Sequence, residues 1–198
     1  MKTFLKKLKK FEKSLEKKIE KKGVTITVSG LTSSGKTTGA KAIAQAFRLK
    51  YYCMGEIFRK IAKRKKISLE ELSRTRKERI DLEVDKKSLE LAMKGNVVLD
   101  GRLSGWVAGR WAEVRIFYDT PLKVRARRFA KREGLSLKES LRRVKERDEA
   151  DRDQYLKVYG IDINDLSIYH IIIDNTKFSL EDAKRKPVEI IRRFFIKK

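Results

Sequence analysis

The chain has 198 residues, of which 51 are Lys or Arg and 27 are Asp or Glu, giving a formal net charge of +24. This length favours one compact domain, and no apolar run reaches the roughly 18 residues of a membrane-spanning helix, which argues against a transmembrane segment. The single cysteine, Cys53, excludes an internal disulfide, and with an N-terminus that lacks the pattern of a secretory signal it predicts a cytoplasmic protein. The only histidine is His170, so catalysis that depends on several histidines is excluded.

Residues 1–22 form a basic segment with ten lysines, three glutamates and neither glycine nor proline. Its apolar residues recur every three or four positions, at Phe4, Leu8, Phe11, Leu15 and Ile19. The spacing predicts an amphipathic helix with a narrow apolar stripe, ended by Gly23 as a C-cap. The stripe either covers the chain's own domain or docks on a partner protein, an RNA or an anionic membrane, and the lysines predict weak binding of polyanions.

The strongest motif begins at the end of the first predicted strand, Val24–Val28, which is apolar and β-branched. Residues 30–38 read GLTSSGKTT, and a run of helix-forming residues follows from Ala40. Strand, glycine-rich loop and helix in this order predict a P-loop whose backbone N–H groups hold the phosphates of ATP. Lys36 is predicted to contact the β- and γ-phosphates, and the Thr37 hydroxyl to ligate Mg²⁺. The predicted ATP-phosphate site comprises Gly30, Leu31, Thr32, Ser33, Ser34, Gly35, Lys36, Thr37 and Thr38.

Further strands are predicted at 49–53, 97–99, 114–118 and 168–173. Helices are predicted over 55–66 and 76–94, from Ser68, from Thr120, from Ser136 towards Tyr159, and from Ser179 onward. Ser68 and Ser136 have capping-box spacing, and Thr120 is the predicted N-cap before Pro121 at the first helical position. The repeated βα units predict an α/β three-layer sandwich, with a central five-stranded parallel sheet between helices and ligands at the carboxyl ends of the strands.

Polar residues follow two of these strands. Asp100 ends the strand Val97–Leu99, and an acidic residue there is suited to hold Mg²⁺ together with Thr37. Arg102 lies two residues further on, and Arg59 lies on the helix after the second strand. Two arginines from separate elements that face one cleft are suited to a monophosphate acceptor.

A basic region from Lys123 to Arg147 contains eleven basic and three acidic residues on two predicted helices. Phosphoryl transfer develops negative charge that arginines stabilise, and a mobile arginine-rich lid would do this while it excludes water. A solvated basic surface is the alternative for most of these residues. Arg128 and Arg132 are the candidates for neutralising the transferred group, and the lid is predicted over residues 123–158.

Six segments together resemble the cytidylate kinases, most closely their short archaeal form. They are GLTSSGKTT, GEIFR, VVLDGRLSGW, YDTPLKVRARR, KERDEADRDQY and YGIDINDLSIYHIIIDN, in order over about residues 24–180. The resemblance implies the nucleoside-monophosphate kinase fold over residues 23–198, with residues 1–22 as an extension outside the family pattern. It also implies direct in-line transfer from Mg²⁺-ATP to CMP or dCMP, and we expect a monomer.

By position, the resemblance implies that Arg59 and Arg102 bind the acceptor phosphate, that Asp119 contacts the ribose, and that Arg147 and Asp151 read cytosine. Gln154 stands where the resemblance leads us to expect an arginine, and Arg152 is the candidate to compensate. Two alternatives remain open from the residues: a kinase of another nucleoside monophosphate, chiefly UMP or AMP, and a nucleotide-dependent RNA-binding or assembly factor.

Overall fold

A computed structural model describes residues 2–16, 18–75 and 77–196, with side chains described in these ranges except at 2–5 and 70. The strands are β1 (Thr25–Gly30), β2 (Lys50–Cys53), β3 (Val97–Asp100), β4 (Val114–Asp119) and β5 (Ile171–Asp174). The helices are α1 (Lys2–Glu16), α2 (Lys36–Ala46), α3 (Met54–Lys65), α4 (Leu69–Thr75), α5 (Glu78–Lys94), α6 (Ser104–Ala108), α7 (Leu122–Glu133), α8 (Leu137–Tyr159) and α9 (Leu180–Ile196), with a 3₁₀ turn at Gly109–Trp111. In this described part of the chain, we find no helix of the length and apolarity that a membrane crossing needs.

The five strands form one parallel sheet in the order β2-β3-β1-β4-β5. The central strand β1 is buried along its whole length, as expected for a strand covered on both faces. Val28 of β1 lies opposite Asp100 of β3, and Gly30 lies opposite Tyr118 of β4. The glycine-rich loop therefore begins beside the carboxyl ends of both neighbouring strands.

Successive residues of β3 face opposite sides of the sheet. Val98 packs in a cluster with Ile43 of α2 and Ile191 of α9, whereas Val97 and Leu99 pack in a second cluster that includes residues of α5. This alternation is the two-residue period of a strand, and it places helices on both faces. The predicted three-layer α/β sandwich with a five-stranded parallel sheet is confirmed.

The apolar stripe of α1 covers the chain's own domain. Leu8 is buried, and Phe11, Leu15 and Ile19 pack against the same cluster of side chains, which comes largely from α5 and α8. The side chain of Phe4 lies outside the described residues. Of the two roles considered for the stripe, packing on the domain is the one seen in the structure.

The prediction that the first helix ends at Gly23 is wrong, because α1 ends at Glu16. The chain then leaves the helix to run beside the end of α5, where the Lys22 N–H donates to the Lys94 carbonyl at 2.9 Å. Gly23 has a φ of +79° and lies against Asn96, so its left-handed backbone serves this turn and caps no helix.

The prediction of Thr120 as an N-cap is also wrong. Pro121 occupies the cap position of α7, and the Thr120 hydroxyl instead lies 2.6 Å from Asn175 Oδ1 and 3.1 Å from the Ser34 carbonyl. Ser136 does cap α8, since its Oγ accepts from the Glu139 N–H at 3.2 Å. The Thr120 hydroxyl therefore bonds to the glycine-rich loop and to Asn175, and it does not cap the helix.

Candidate active site

The glycine-rich loop joins β1 to α2 and is held in a conformation that requires glycine. Gly35 is the N-cap of α2 with a φ of +88°. A Cβ at this position would lie 2.9 Å from Asn175 Nδ2 and 3.2 Å from Arg128 Nη1, so both the backbone angle and the space exclude a side chain. The N-terminus of α2, with its unpaired N–H groups and positive dipole end, is thereby presented to the space above the sheet.

A cavity of about 710 Å³ opens at this point. Six of the predicted loop residues line it: Thr32, Ser33, Gly35, Lys36, Thr37 and Thr38. The other predicted residues that line it are Arg59, Asp100, Arg102, Arg128, Arg132, Arg147 and Asp151. Gly30, Leu31 and Ser34 belong to the loop but do not line the cavity, and Asp119 is an exposed residue that does not line it either.

The Lys36 side chain lies in the cavity with its Nζ 3.3 Å from the Leu31 carbonyl, to which it donates. Burial lowers its pKa from 10.5 to about 8; the nearby Asp100 opposes this shift, and Arg102 and Arg147 add to it. A buried amine beside arginines is a charge that its surroundings solvate poorly. Polyphosphate bound there would stabilise the charged form of the amine.

Asp100 lies at the end of β3, is 1% exposed, and faces the start of α2. Its Oδ2 accepts from the Thr37 hydroxyl at 2.6 Å and from the Tyr51 hydroxyl at 2.9 Å, and burial followed by the Asp100 charge raises the pKa of Tyr51. Its Oδ1 is buried with no hydrogen-bond partner among the described residues. A hydroxyl and a carboxylate with an unused oxygen beside a phosphate loop fit Mg²⁺, which binds few protein ligands and completes its shell with phosphate and water.

Arg102 and Asp151, predicted at opposite ends of an acceptor nucleotide, contact each other. The Arg102 guanidinium forms an ion pair with the carboxylate of Asp151, which is 2% exposed, and a longer one with Asp148 at 3.5 Å. Arg147 also lines this part of the cavity. A buried guanidinium is costly without a charged partner, and these two carboxylates supply it.

Two residues near Asp151, Arg152 and Gln154, make their contacts outside the cavity. Arg152, the candidate to compensate for Gln154, pairs on the surface with Asp162 at 3.2 Å and does not line the cavity. Gln154 donates from Nε2 to Asp81 Oδ2 at 2.8 Å. The sequence left open whether Arg152 compensates for Gln154, and in this structure the Arg152 side chain does not line the cavity.

The sequence analysis missed Asp148, which connects the loop to α8. Its Oδ1 accepts from the Thr32 N–H at 3.1 Å and from the Thr32 hydroxyl at 2.6 Å, and its Oδ2 pairs with Arg125 of α7. Asp148 lies three residues before Asp151, within one helical turn. Acidic and basic residues alternate along α8, so the sequence carried no signal that distinguishes Asp148 from its acidic neighbours.

Asn175, after β5, is the second residue that was missed. Its Nδ2 donates to the Ser34 carbonyl at 2.7 Å, and its own carbonyl accepts from Arg128 Nη2 at 2.8 Å. Arg128 also donates to the Ser34 carbonyl at 3.0 Å, so it docks against the loop, whereas Arg132 is exposed and pairs with Glu133. The residues after β5 thus position both the loop and one of the two predicted lid arginines.

Arg59 projects from α3 at the opposite side of the cavity. Its side chain is about half exposed, with Nη2 lying 3.9 Å from Glu56 Oε1 and 3.6 Å from Cys53 Sγ. Both contacts are long, and the side chain makes only a weak surface pair. The guanidinium can therefore turn toward an anion at small cost.

The chain matches known proteins over most of its length. The model of the cytidylate kinase-like family matches residues 76–177. The cytidylate kinase of Pyrococcus horikoshii is 49% identical over 160 residues, or 80% of this chain and 83% of the relative, and that of Staphylothermus marinus is 41% identical over 176 residues, or 88% and 97%. Shikimate kinase from Acinetobacter baumannii shares the fold with a TM-score of 0.58 at 14% identity, over 94% of this chain and 98% of that one. The chain therefore belongs to the cytidylate kinase-like family.

Proposed function

We propose that the chain transfers the γ-phosphoryl group of ATP directly to CMP and dCMP. The observation that carries this proposal is that a single cavity is lined by the P-loop lysine, by two arginines suited to an acceptor phosphate, and by the Arg147 and Asp151 pair. A nucleotide-binding switch needs a phosphate loop, but it has no use for an acceptor site beside that loop. Relatives named cytidylate kinase support the same assignment.

On the donor side, the N–H groups at the start of α2 and the Lys36 amine hold the triphosphate. Thr37 and Asp100 are the residues that would hold Mg²⁺, which supplies charge neutralisation on the β- and γ-oxygens when bound. Arg128 and Arg132 of α7 line the cavity. They neutralise the transferred group as α7 and α8 close on it.

On the acceptor side, Arg59 and Arg102 hold the CMP phosphate in line with the γ-phosphate. Arg102 exchanges its contact with Asp151 for the phosphate dianion, so the guanidinium keeps a partner throughout. The released Asp151 carboxylate accepts from the cytosine N4 amine, and Arg147 donates to the O2 and N3 acceptors. Asp119 lies outside the cavity and has no part in this proposal.

Proton transfer by the protein is not required. The attacking group is a phosphate oxygen that already carries charge at neutral pH, so a general base adds nothing. Position and charge stabilisation supply the rate acceleration, as is general for phosphoryl transfer.

The test is a coupled ADP-release assay with CMP, dCMP, UMP, AMP and GMP as acceptors. We expect the highest kcat/KM for CMP and dCMP, and we expect Lys36→Ala to lose transfer by at least about a hundredfold while keeping its thermal midpoint. Lys184→Ala, at an exposed position of α9, is the matched control. A higher kcat/KM for UMP or AMP than for CMP would contradict the assignment of CMP as the acceptor. A folded Lys36→Ala protein with normal turnover would contradict the assignment of the P-loop as the donor site.

A further inference from the structure

Helix α1 presents a row of lysines to the solvent. Lys6, Lys9, Lys10 and Lys13 are exposed, and they follow one another at spacings of three and four residues, so they share one side of the helix. Leu8, which is buried against the domain, lies on the other side. We refer to these four residues as the lysine face.

The glutamates of α1 do not neutralise the lysine face. Glu12 lies three residues after Lys9, and Glu16 lies three residues after Lys13, which is a spacing at which helical ion pairs form. Both carboxylates instead pair with Arg110, in the 3₁₀ turn before β4. No ion pair joins a lysine of the face to another described side chain, so the four positive charges are uncompensated there.

Other helices of the chain pair exposed cations with carboxylates. On α5, Lys94 pairs with Glu90, and on α9, Arg185 pairs with Glu189, in each case one turn away. Opposite charges at this spacing stabilise a helix, whereas like charges destabilise it by a similar amount. The lysine face consists of like-charged neighbours at these spacings, so it is unfavourable for α1 itself and indicates a partner that supplies negative charge.

The docking of α1 favours a nucleic acid over a membrane as this partner. A helix that binds an anionic membrane inserts its apolar side between the lipids. In this structure that side is occupied, since Leu8, Phe11 and Leu15 pack in the cluster formed largely by α5 and α8, and Lys86 Nζ lies 5.2 Å from the Phe11 ring centroid. A phosphate backbone requires only the exposed charges.

The composition and spacing of the lysine face favour the backbone of double-stranded RNA. The face has no aromatic ring on which an unpaired base could stack, and no arginine, asparagine or glutamine that could read the edges of paired bases. Neighbouring lysines are separated by a rise of about 4.5–6 Å along the helix. Phosphates along a strand of A-form RNA are closer together than those of B-form DNA, so RNA matches this short spacing better.

We propose that the lysine face of α1 binds the phosphate backbone of double-stranded RNA, independently of its base sequence. The apolar stripe keeps α1 docked on the domain while the lysines displace counterions from the phosphates. No described side chain of α1 lines the cavity of the candidate active site, so that cavity stays open when RNA is bound. This interaction goes beyond the proposed function and does not depend on it.

The experiment measures the binding of a fluorescently labelled RNA duplex of mixed sequence by anisotropy. A fourfold variant with Lys6→Gln, Lys9→Gln, Lys10→Gln and Lys13→Gln removes the charges and keeps residues of high helix propensity. We expect its Kd to rise by at least about tenfold in about 50 mM salt. The dependence of log Kd on log salt concentration should also become less steep by about two or more, because each lost phosphate contact accounts for about one.

The matched control removes four positive charges from another surface. Lys177, Lys184, Arg192 and Arg193 are exposed on or beside α9, which packs on the opposite face of the sheet from α5. Replacing these four with glutamine should leave the Kd and its salt dependence at the wild-type values. Equal weakening by the two fourfold variants would mean that only net charge matters, and it would overturn the assignment to the lysine face.

Thermal melts show whether each variant is folded. Should the fourfold variant of α1 fold poorly, the double variant Lys6→Gln/Lys13→Gln should still raise the Kd by about threefold or more. A DNA duplex of the same sequence that binds as tightly as the RNA would overturn the choice of RNA, and tighter binding to phosphatidylserine vesicles would overturn it in favour of a membrane. Tighter RNA binding by Leu8→Ala than by the wild type would mean that the partner captures a released α1, and it would overturn binding by the docked helix.

Discussion

The packing of α1 on the domain can be tested by replacing Leu8 with alanine. Leu8 is 8% exposed and packs in the cluster that contains Leu89 and Met93 of α5 and Val158 of α8. Transfer of a leucine side chain from water is worth about 1.5–3 kcal/mol, and leucine-to-alanine changes in cores cost about 2–5 kcal/mol. A helix near the end of the chain can relax around the gap, so we expect the lower value, about 2 kcal/mol.

In a domain of this size, 1 kcal/mol moves the thermal midpoint by about 2–4 °C. Leu8→Ala should therefore lower the midpoint by about 4–8 °C in a circular dichroism melt. Lys9→Ala removes a neighbouring exposed side chain of the same helix and should leave the midpoint unchanged. Turnover of CMP at 25 °C should be unaffected in both, since none of the described side chains of α1 lines the cavity.

Equal midpoints for Leu8→Ala and Lys9→Ala would refute this reasoning. They would mean that the stripe does not rest on α5 and α8 in solution. The stripe and the lysines beside it would then be available to an external partner. Salt-sensitive binding of RNA or anionic vesicles by the wild type, lost on deletion of residues 1–22, would be the corresponding result.

Two further outcomes concern the cavity. Asp148→Asn should lower kcat/KM for ATP by about fivefold or more, because Thr32 and Arg125 lose a charged acceptor. Glu149 is the next residue and is exposed, so Glu149→Gln should leave kcat/KM unchanged. Equal effects of the two substitutions would contradict the positioning role of Asp148. Because Lys36 has its pKa lowered to about 8 in the fold, it loses its proton above pH 8 while the unfolded chain keeps it to about 10.5. Between these pH values, the free energy of unfolding of the wild type should therefore rise with pH, and its affinity for ATP should fall. Neither change is expected in Lys36→Met.

Elements fixed by local chemistry were predictable from the sequence. The order of strands and helices follows from apolar periodicity and from glycine and serine at element ends, as at Ser136 and Gly160 of α8. The P-loop was predictable for the same reason, because its function depends on backbone geometry that neighbouring residues determine. The residues that it presents to the cavity all lie within three positions of Gly35.

Contacts between distant elements were not predictable in this way. A threonine at position 120 is suited both to cap a helix and to bond to Asn175, and nothing local to Thr120 determines which contact forms. The role of Asp148 depends on Thr32, 116 residues away. In each case the deciding partner comes from another layer or loop of the sandwich.

The Arg102 and Asp151 pair shows why family resemblance also leaves part of the site undetermined. Resemblance assigns each residue to a part of the bound nucleotide, and it carries no information on which charged side chains pair with each other. With a net charge of +24 and several arginines around one cavity, the guanidinium groups that are buried there need carboxylates to pair with. Desolvated arginines without partners would destabilise the fold by several kcal/mol each. Asp148 and Asp151 meet that need, so under the proposed function the residue that reads the base also holds an acceptor arginine in place until the phosphate arrives.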